Sequence, residues 1–129
     1  MENAQPAAVT LPDLPGFDTV SALKLLGNNV KLYRSVLQRF LGQYVGAYDA
    51  LSVLLSKGED AAAIQVQAHS IKGLAGSIGH PDLHQAALNL EHAFRNPADH
   101  DKNELDKLGK VFLEQLLNVL KTLQAAFPQ

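Results

Sequence analysis

Between Asn28 and Ser56 the apolar residues Tyr33, Leu37, Phe40, Tyr44, Ala47, Leu51 and Leu54 recur at alternating spacings of four and three. Only a turn of about 3.6 residues returns such positions to one face, so the segment reads as one long helix opened by Asn28 or Asn29. A second row, Val36, Leu41, Val45, Tyr48 and Leu55, flanks the first. A helix apolar over that width must pack against two neighbours, which excludes a lone helix or a simple hairpin.

The neighbours follow in order. Lys57-Gly58 ends the long helix, and Glu59-Asp60 opens a third, with acidic residues set favourably against the helix dipole. Its stripe is Ile64, Ala68, Ile71, Ala75 and Ile78, and Gly79 stops it. His80 takes a cap position and Pro81 fits the first turn of a fourth helix, where its missing N–H costs nothing. Leu83, Ala87, Leu90 and Phe94 face that helix inward until Asn96-Pro97 closes it. A fifth runs from near Asp101 to about Ala126, with Leu105, Leu108, Phe112, Leu116, Val119 and Leu123 inside. Ahead of them, Asp18 caps a short helix to Leu26 with Val20, Leu23 and Leu26 on one side and Gly27 as its stop. Short connections make consecutive helices antiparallel. The expected fold is all-α, an antiparallel up-down four-helix bundle with a short N-terminal lid helix, spanning residues 17–127. Residues 1–16, with Pro6, Pro12 and Pro15, read as a flexible linker or tail.

One face of the third helix stands apart. His69 lies well off the apolar stripe, and along its own face come Lys72, Gly73 and Gly76, with Gln65 one turn before. Each glycine inside a helix costs roughly 1 kcal/mol relative to alanine, so two on one face ask for a reason. Glycines serving internal packing would fall among Ile71, Ala75 and Ile78; these instead clear a path for another molecule to reach His69.

The stretch His69-Ser70-Ile71-Lys72-Gly73-Leu74-Ala75-Gly76-Ser77-Ile78-Gly79 resembles the H-x-x-K-G-x-A-x-x-I-G signature of histidine-containing phosphotransfer (HPt) domains. The resemblance implies a phosphorelay intermediate in which His69 accepts a phosphoryl group from a receiver-domain aspartate and passes it to another receiver. It also implies that the receiver brings the aspartates, a lysine and the Mg²⁺, so the chain needs no cofactor of its own. The phrase Leu14-Pro15-Gly16-Phe17-Asp18 resembles the lead-in to HPt modules of hybrid sensor kinases, and an excised module and a free-standing protein both fit.

A neutral imidazole is a nucleophile at cell pH without a neighbouring base, since its ordinary pKa is about 6.5. Lys72, one turn from His69, can add positive charge near the phosphoryl oxygens, although exposed helical lysines are ordinarily just solvated. In an antiparallel hairpin, the residue eleven after His80 stands level with His69, eleven before it; that residue is Glu91. Its carboxylate can hold one ring nitrogen and turn the other outward. It can equally be a solvated residue on a helix flank, and level placement alone leaves both readings open.

Other classes fall away. There is no glycine-rich phosphate loop for an autokinase. The formal net charge is −2, with no basic stripe for nucleic acid. No long apolar run or basic leader marks an anchor or signal peptide, and no membrane contact is expected. Zero cysteines exclude disulfides and cysteine-ligated zinc. His80 and His84 stand four apart, but no third ligand joins them, so no metal site is expected; His92 and His100 read as surface residues. With 129 residues, 47% of them apolar, the chain can close its own core as a monomer. The expected location is the cytoplasm, free or at the cytoplasmic end of a membrane-bound sensor kinase. The rival reading is a non-catalytic docking module for a receiver or kinase, which would not need the imidazole.

Overall fold

A computed structural model describes residues 10–128. The fold is all-helical: α1 (Thr19–Leu25), α2 (Val30–Lys57), α3 (Ala61–Ile78), α4 (Pro81–Arg95), a 3-10 turn (Pro97–Asp99) and α5 (Lys102–Ala126). Each of α2 to α5 packs against two of the others, in the cyclic order α2, α3, α4, α5, while α1 lies on α3 and α2.

Side chains set nearly every boundary. Asp18, Asn29, Asp60 and His80 each accept the backbone N–H three residues on, and Asp101 with Glu104 forms a reciprocal capping box. Of the two asparagines before α2, Asn29 is the cap and Asn28 takes a left-handed φ of 62°. Gly58 and Gly79 end α2 and α3 in the same left-handed region.

The core is the predicted stripes brought together. Tyr33, Leu37, Phe40, Tyr44 and Leu51 are buried on α2, and all five stripe residues of α3 are buried with them. Tyr33 is enclosed, and its hydroxyl donates to the carbonyl of Ile78 at 2.6 Å, fastening the start of α2 to the end of α3. The flanking row is only partly inside: Leu41 and Leu55 are buried, whereas Val45 is exposed. Two rows that far apart on one cylinder cannot both be covered along its whole length by two neighbours, and Val45 lies at the outer margin.

Two expectations about the N-terminal region are corrected. Leu23 and Leu26 pack against the core, but Val20 is exposed and the fully buried residue of α1 is Ala22. The cause is a close backbone approach: a Cβ at Gly79 would stand 2.6 Å from the carbonyl oxygen of Asp18 and 2.9 Å from the Cβ of Ala22. Only a small residue fits against a glycine there, and this sets the rotation of the helix. The segment 10–16 is also less of a tail than its prolines suggest. Leu14 is buried and Leu11 packs on the core, with Phe17, at a spacing of three. Asp18 N–H donates to the carbonyl of Gly79 at 2.7 Å, and Arg34 donates to the carbonyl of Thr10 at 2.8 Å. The part of the predicted tail before Thr10 lies outside the described residues.

Candidate functional site

The α3–α4 hairpin turns tightly at Gly79-His80, and its two helices form the most extensive pairing in the fold. That pairing sets His69 of α3 opposite Glu91 of α4. Glu91 Oε2 lies 2.7 Å from His69 Nδ1, and Oε1 lies 2.7 Å from Lys72 Nζ. Arg95 approaches Oε2 at 4.0 Å from one turn further along α4. The carboxylate side chain is only 7% exposed, whereas the imidazole is 67% exposed.

This geometry fixes the ring's chemistry. The Lys72 ammonium holds the Glu91 carboxyl below the usual carboxylate range, and His69 adds to that against the opposing effect of burial. An ionised carboxylate can only accept, so the hydrogen between Glu91 and the ring sits on Nδ1. The lone pair of the neutral imidazole is then on Nε2, which has no partner among the described residues. The arrangement is an exposed nucleophilic nitrogen on a ring braced from below by a buried anion.

Lys72 is not an ordinary solvated lysine. Its side chain is 24% exposed and spans the seam with its ammonium on Glu91. A long aliphatic stem along the helix surface with a charge at its end makes that possible. The two glycines also separate. A Cβ at Gly73 would meet nothing within 4 Å, so that surface is open. At Gly76 a Cβ would stand 3.5 Å from Nδ1 of His84, so part of the cleared space is occupied by the protein's own imidazole. Gln65 is half-buried one turn before His69.

The remaining histidines do other things. His80 is buried, and its Nδ1 accepts from Leu83 N–H at 3.0 Å as the cap of α4, with Phe17 edge-on at 4.9 Å. His84 Nδ1 donates to the carbonyl of Lys72 at 3.0 Å. His100 lies 3.8 Å from Glu104, and His92 is exposed. Among the described residues no group of three or more His, Cys, Asp or Glu side chains could hold a metal ion. No helix there is long and apolar enough to cross a membrane.

Arg95 escapes the sequence reading, which weighs His84 only as a metal ligand, although a signal for each is present. Arg95 follows Glu91 by four on one helix, and His84 stands opposite Gly76 by the same level pairing that joins Glu91 to His69.

Comparison with protein families matches residues 35–126 to the Hpt domain. The chain belongs to the Hpt domain family. Its members are phosphocarriers of two-component signalling that interact with receiver domains, and they are not kinases. Comparisons with curated proteins and with solved structures return no match.

Proposed function

We propose that this chain is a phosphorelay intermediate that takes a phosphoryl group from a receiver aspartate onto His69 Nε2 and passes it to a second receiver. The observation that carries the reading is the exposed imidazole whose Nδ1–H is held at 2.7 Å by the buried Glu91. In the forward step the Nε2 lone pair attacks phosphorus, an N–P bond forms, and the aspartyl acyl–phosphate bond breaks to release the carboxylate. The ring keeps its Nδ1 hydrogen and gains positive charge, which the Glu91 carboxylate offsets. Phosphoryl transfer rests on positioning and on charge neutralisation, and the receiver's Mg²⁺ and lysine supply the latter around the moving group. Lys72 keeps Glu91 ionised and, one turn from His69, adds positive charge near the phosphoryl group. Gly73 leaves room for the receiver's loops, with Gln65 and Gly76 at the margins of the docked surface.

The architecture that goes with this reading is an antiparallel four-helix bundle with α1 as a lid. The Tyr33–Ile78 hydrogen bond, the His69–Glu91 contact and the ring of helix contacts support it. The proposed working state is a cytoplasmic monomer that binds receivers and neither nucleic acid nor membrane.

The test is transfer profiling. The protein is mixed with purified receiver domains charged by acetyl phosphate, and separately with phosphoramidate. Label that is acid-labile, stable to alkali and mapped to His69 is expected from both donors. Label on another residue, or acceptance from phosphoramidate alone, would overturn the relay assignment.

A further inference from the structure

His84 occupies a place that its sequence context does not advertise. It precedes Glu91 by seven residues on α4, and Gly76 follows His69 by seven on α3. Two turns of an antiparallel pair separate the two levels, so His84 stands over Gly76 as Glu91 stands over His69, about 10 Å along the same seam. It is too far from the phosphoryl group to touch it, yet it lies on the face over which a partner must pass.

The ring is anchored there by one hydrogen bond. A carbonyl can only accept, so the 3.0 Å contact with Lys72 puts the hydrogen on Nδ1 and, in the neutral ring, the lone pair on Nε2. Nε2 has no partner among the described residues. The imidazole lies against the bare backbone of Gly76, where a Cβ would already be in contact at 3.5 Å. It also lines a recess of about 230 Å³ with Ala22, Leu25, Ala75 and Gly76, in which Leu25 is largely exposed. The face thus offers the Nε2 acceptor beside a largely apolar recess, which Asp18 and Ser21 also line, next to the open backbone of Gly73.

Resting on the phosphorelay reading, we propose that His84 is a specificity-determining residue for the receiver. Its unpartnered Nε2 accepts a hydrogen bond from a donor side chain, a hydroxyl, amide or ammonium, on the receiver loop that covers Gly73 and Gly76.

Two variants separate this role from a structural one. His84→Asn keeps a donor near the Nδ1 position and so the bond to Lys72, but it loses the Nε2 acceptor. His84→Gln does the reverse, placing an amide oxygen near Nε2 while giving up the bond. Transfer from the receivers that charge the wild type in the profiling experiment is the readout, with circular dichroism to show that both variants are folded. For His84→Asn the KM for the phosphorylated receiver should rise roughly 3- to 10-fold, as for one lost interfacial hydrogen bond, with kcat little changed. His84→Gln should stay near wild type. Phosphoramidate should label His69 equally in all three proteins. An unchanged KM in His84→Asn, or loss confined to His84→Gln, would overturn the proposal and leave His84 a clamp on Lys72. If the wild type takes phosphate from no receiver, the relay reading falls first and this inference with it.

Discussion

His69 and His80 stand eleven residues apart, and their Nδ1 atoms do opposite work. At His69 the atom donates to a carboxylate; at His80 it accepts from a backbone N–H. The neutral ring of His69 therefore carries its lone pair on Nε2, and that of His80 carries a hydrogen there. One ring is open to solvent and nucleophilic. The other is buried against Phe17 and Gly16 and caps a helix. What an imidazole can do is decided by the group facing its inner nitrogen, and the amino-acid type alone does not tell the two apart.

The largest expected effect breaks the comparison outright. His69→Gln should abolish acid-labile labelling from any donor with the helical content intact, while His80→Asn, which retains a cap acceptor, should label fully. Labelling that survives the first change or disappears with the second would reverse the assignment.

Next comes the anion. Glu91→Ala removes a buried acceptor that serves both His69 and Lys72, and should cost about 1 to 3 kcal/mol in urea unfolding. Receiver-dependent transfer should slow as well, because the ring loses the anion that holds its Nδ1 hydrogen. The pH dependence has a defined sign. Because the folded carboxyl lies below its ordinary value of 4.5, the unfolded chain binds the proton first. Glu91's electrostatic contribution is therefore complete above about pH 4.5 and is lost as pH falls through the lower folded value. Wild type and Glu91→Gln should differ most at neutral pH and converge in acid.

His80 sharpens the contrast from the other side. Burial pushes its pKa below the ordinary 6.5, with Asp82 opposing weakly. Between 6.5 and the folded value the unfolded chain holds a proton that the native one lacks, so stability falls as pH drops through that window and levels off below it. His80→Asn should flatten this slope in thermal unfolding followed by circular dichroism, whereas His80→Ala should in addition lose about 1 kcal/mol with the cap. An identical slope in His80→Asn would show that another group titrates.

The smallest effect is at Gly73, where nothing lies within 4 Å. Gly73→Ala should raise stability by up to about 1 kcal/mol, since alanine is the better helix former. The same methyl should slow receiver transfer and leave phosphoramidate labelling unchanged. A slower small-molecule reaction would mean that the glycine serves the chemistry itself rather than the approach to it.

Periodicity and capping chemistry made much of this structure legible in the sequence. The helix that carries His69, its stop at Gly79 and the level placement of Glu91 all follow from local rules that tertiary contacts do not override. Lys72 shows where such rules end, because its stem and charge settle only once a buried carboxylate is in reach. Val20 and Ala22 show the same for α1. Amphipathic spacing in a helix of seven residues is weaker than one backbone contact at Gly79. Pro12 and Pro15 hide the packing of Leu11 and Leu14, although with Phe17 these residues share a spacing of three.

Arg34 gives the chain an unusual topological freedom. Its guanidinium donates to the carbonyl of Thr10 and lies 5.5 Å from the ring centre of Phe127, so residues near opposite ends of the described chain meet across one side chain. A few flexible residues could join Phe127 to Thr10, and a new opening at Gly58 would fall at the far end of α2, about 40 Å away at 1.5 Å per residue. Circular permutation at that site leaves α3, its hairpin and Glu91 contiguous, so the permuted protein should fold and still label on His69. Fusions could then be hung from the opposite pole of the molecule, with their distance to the imidazole chosen by design.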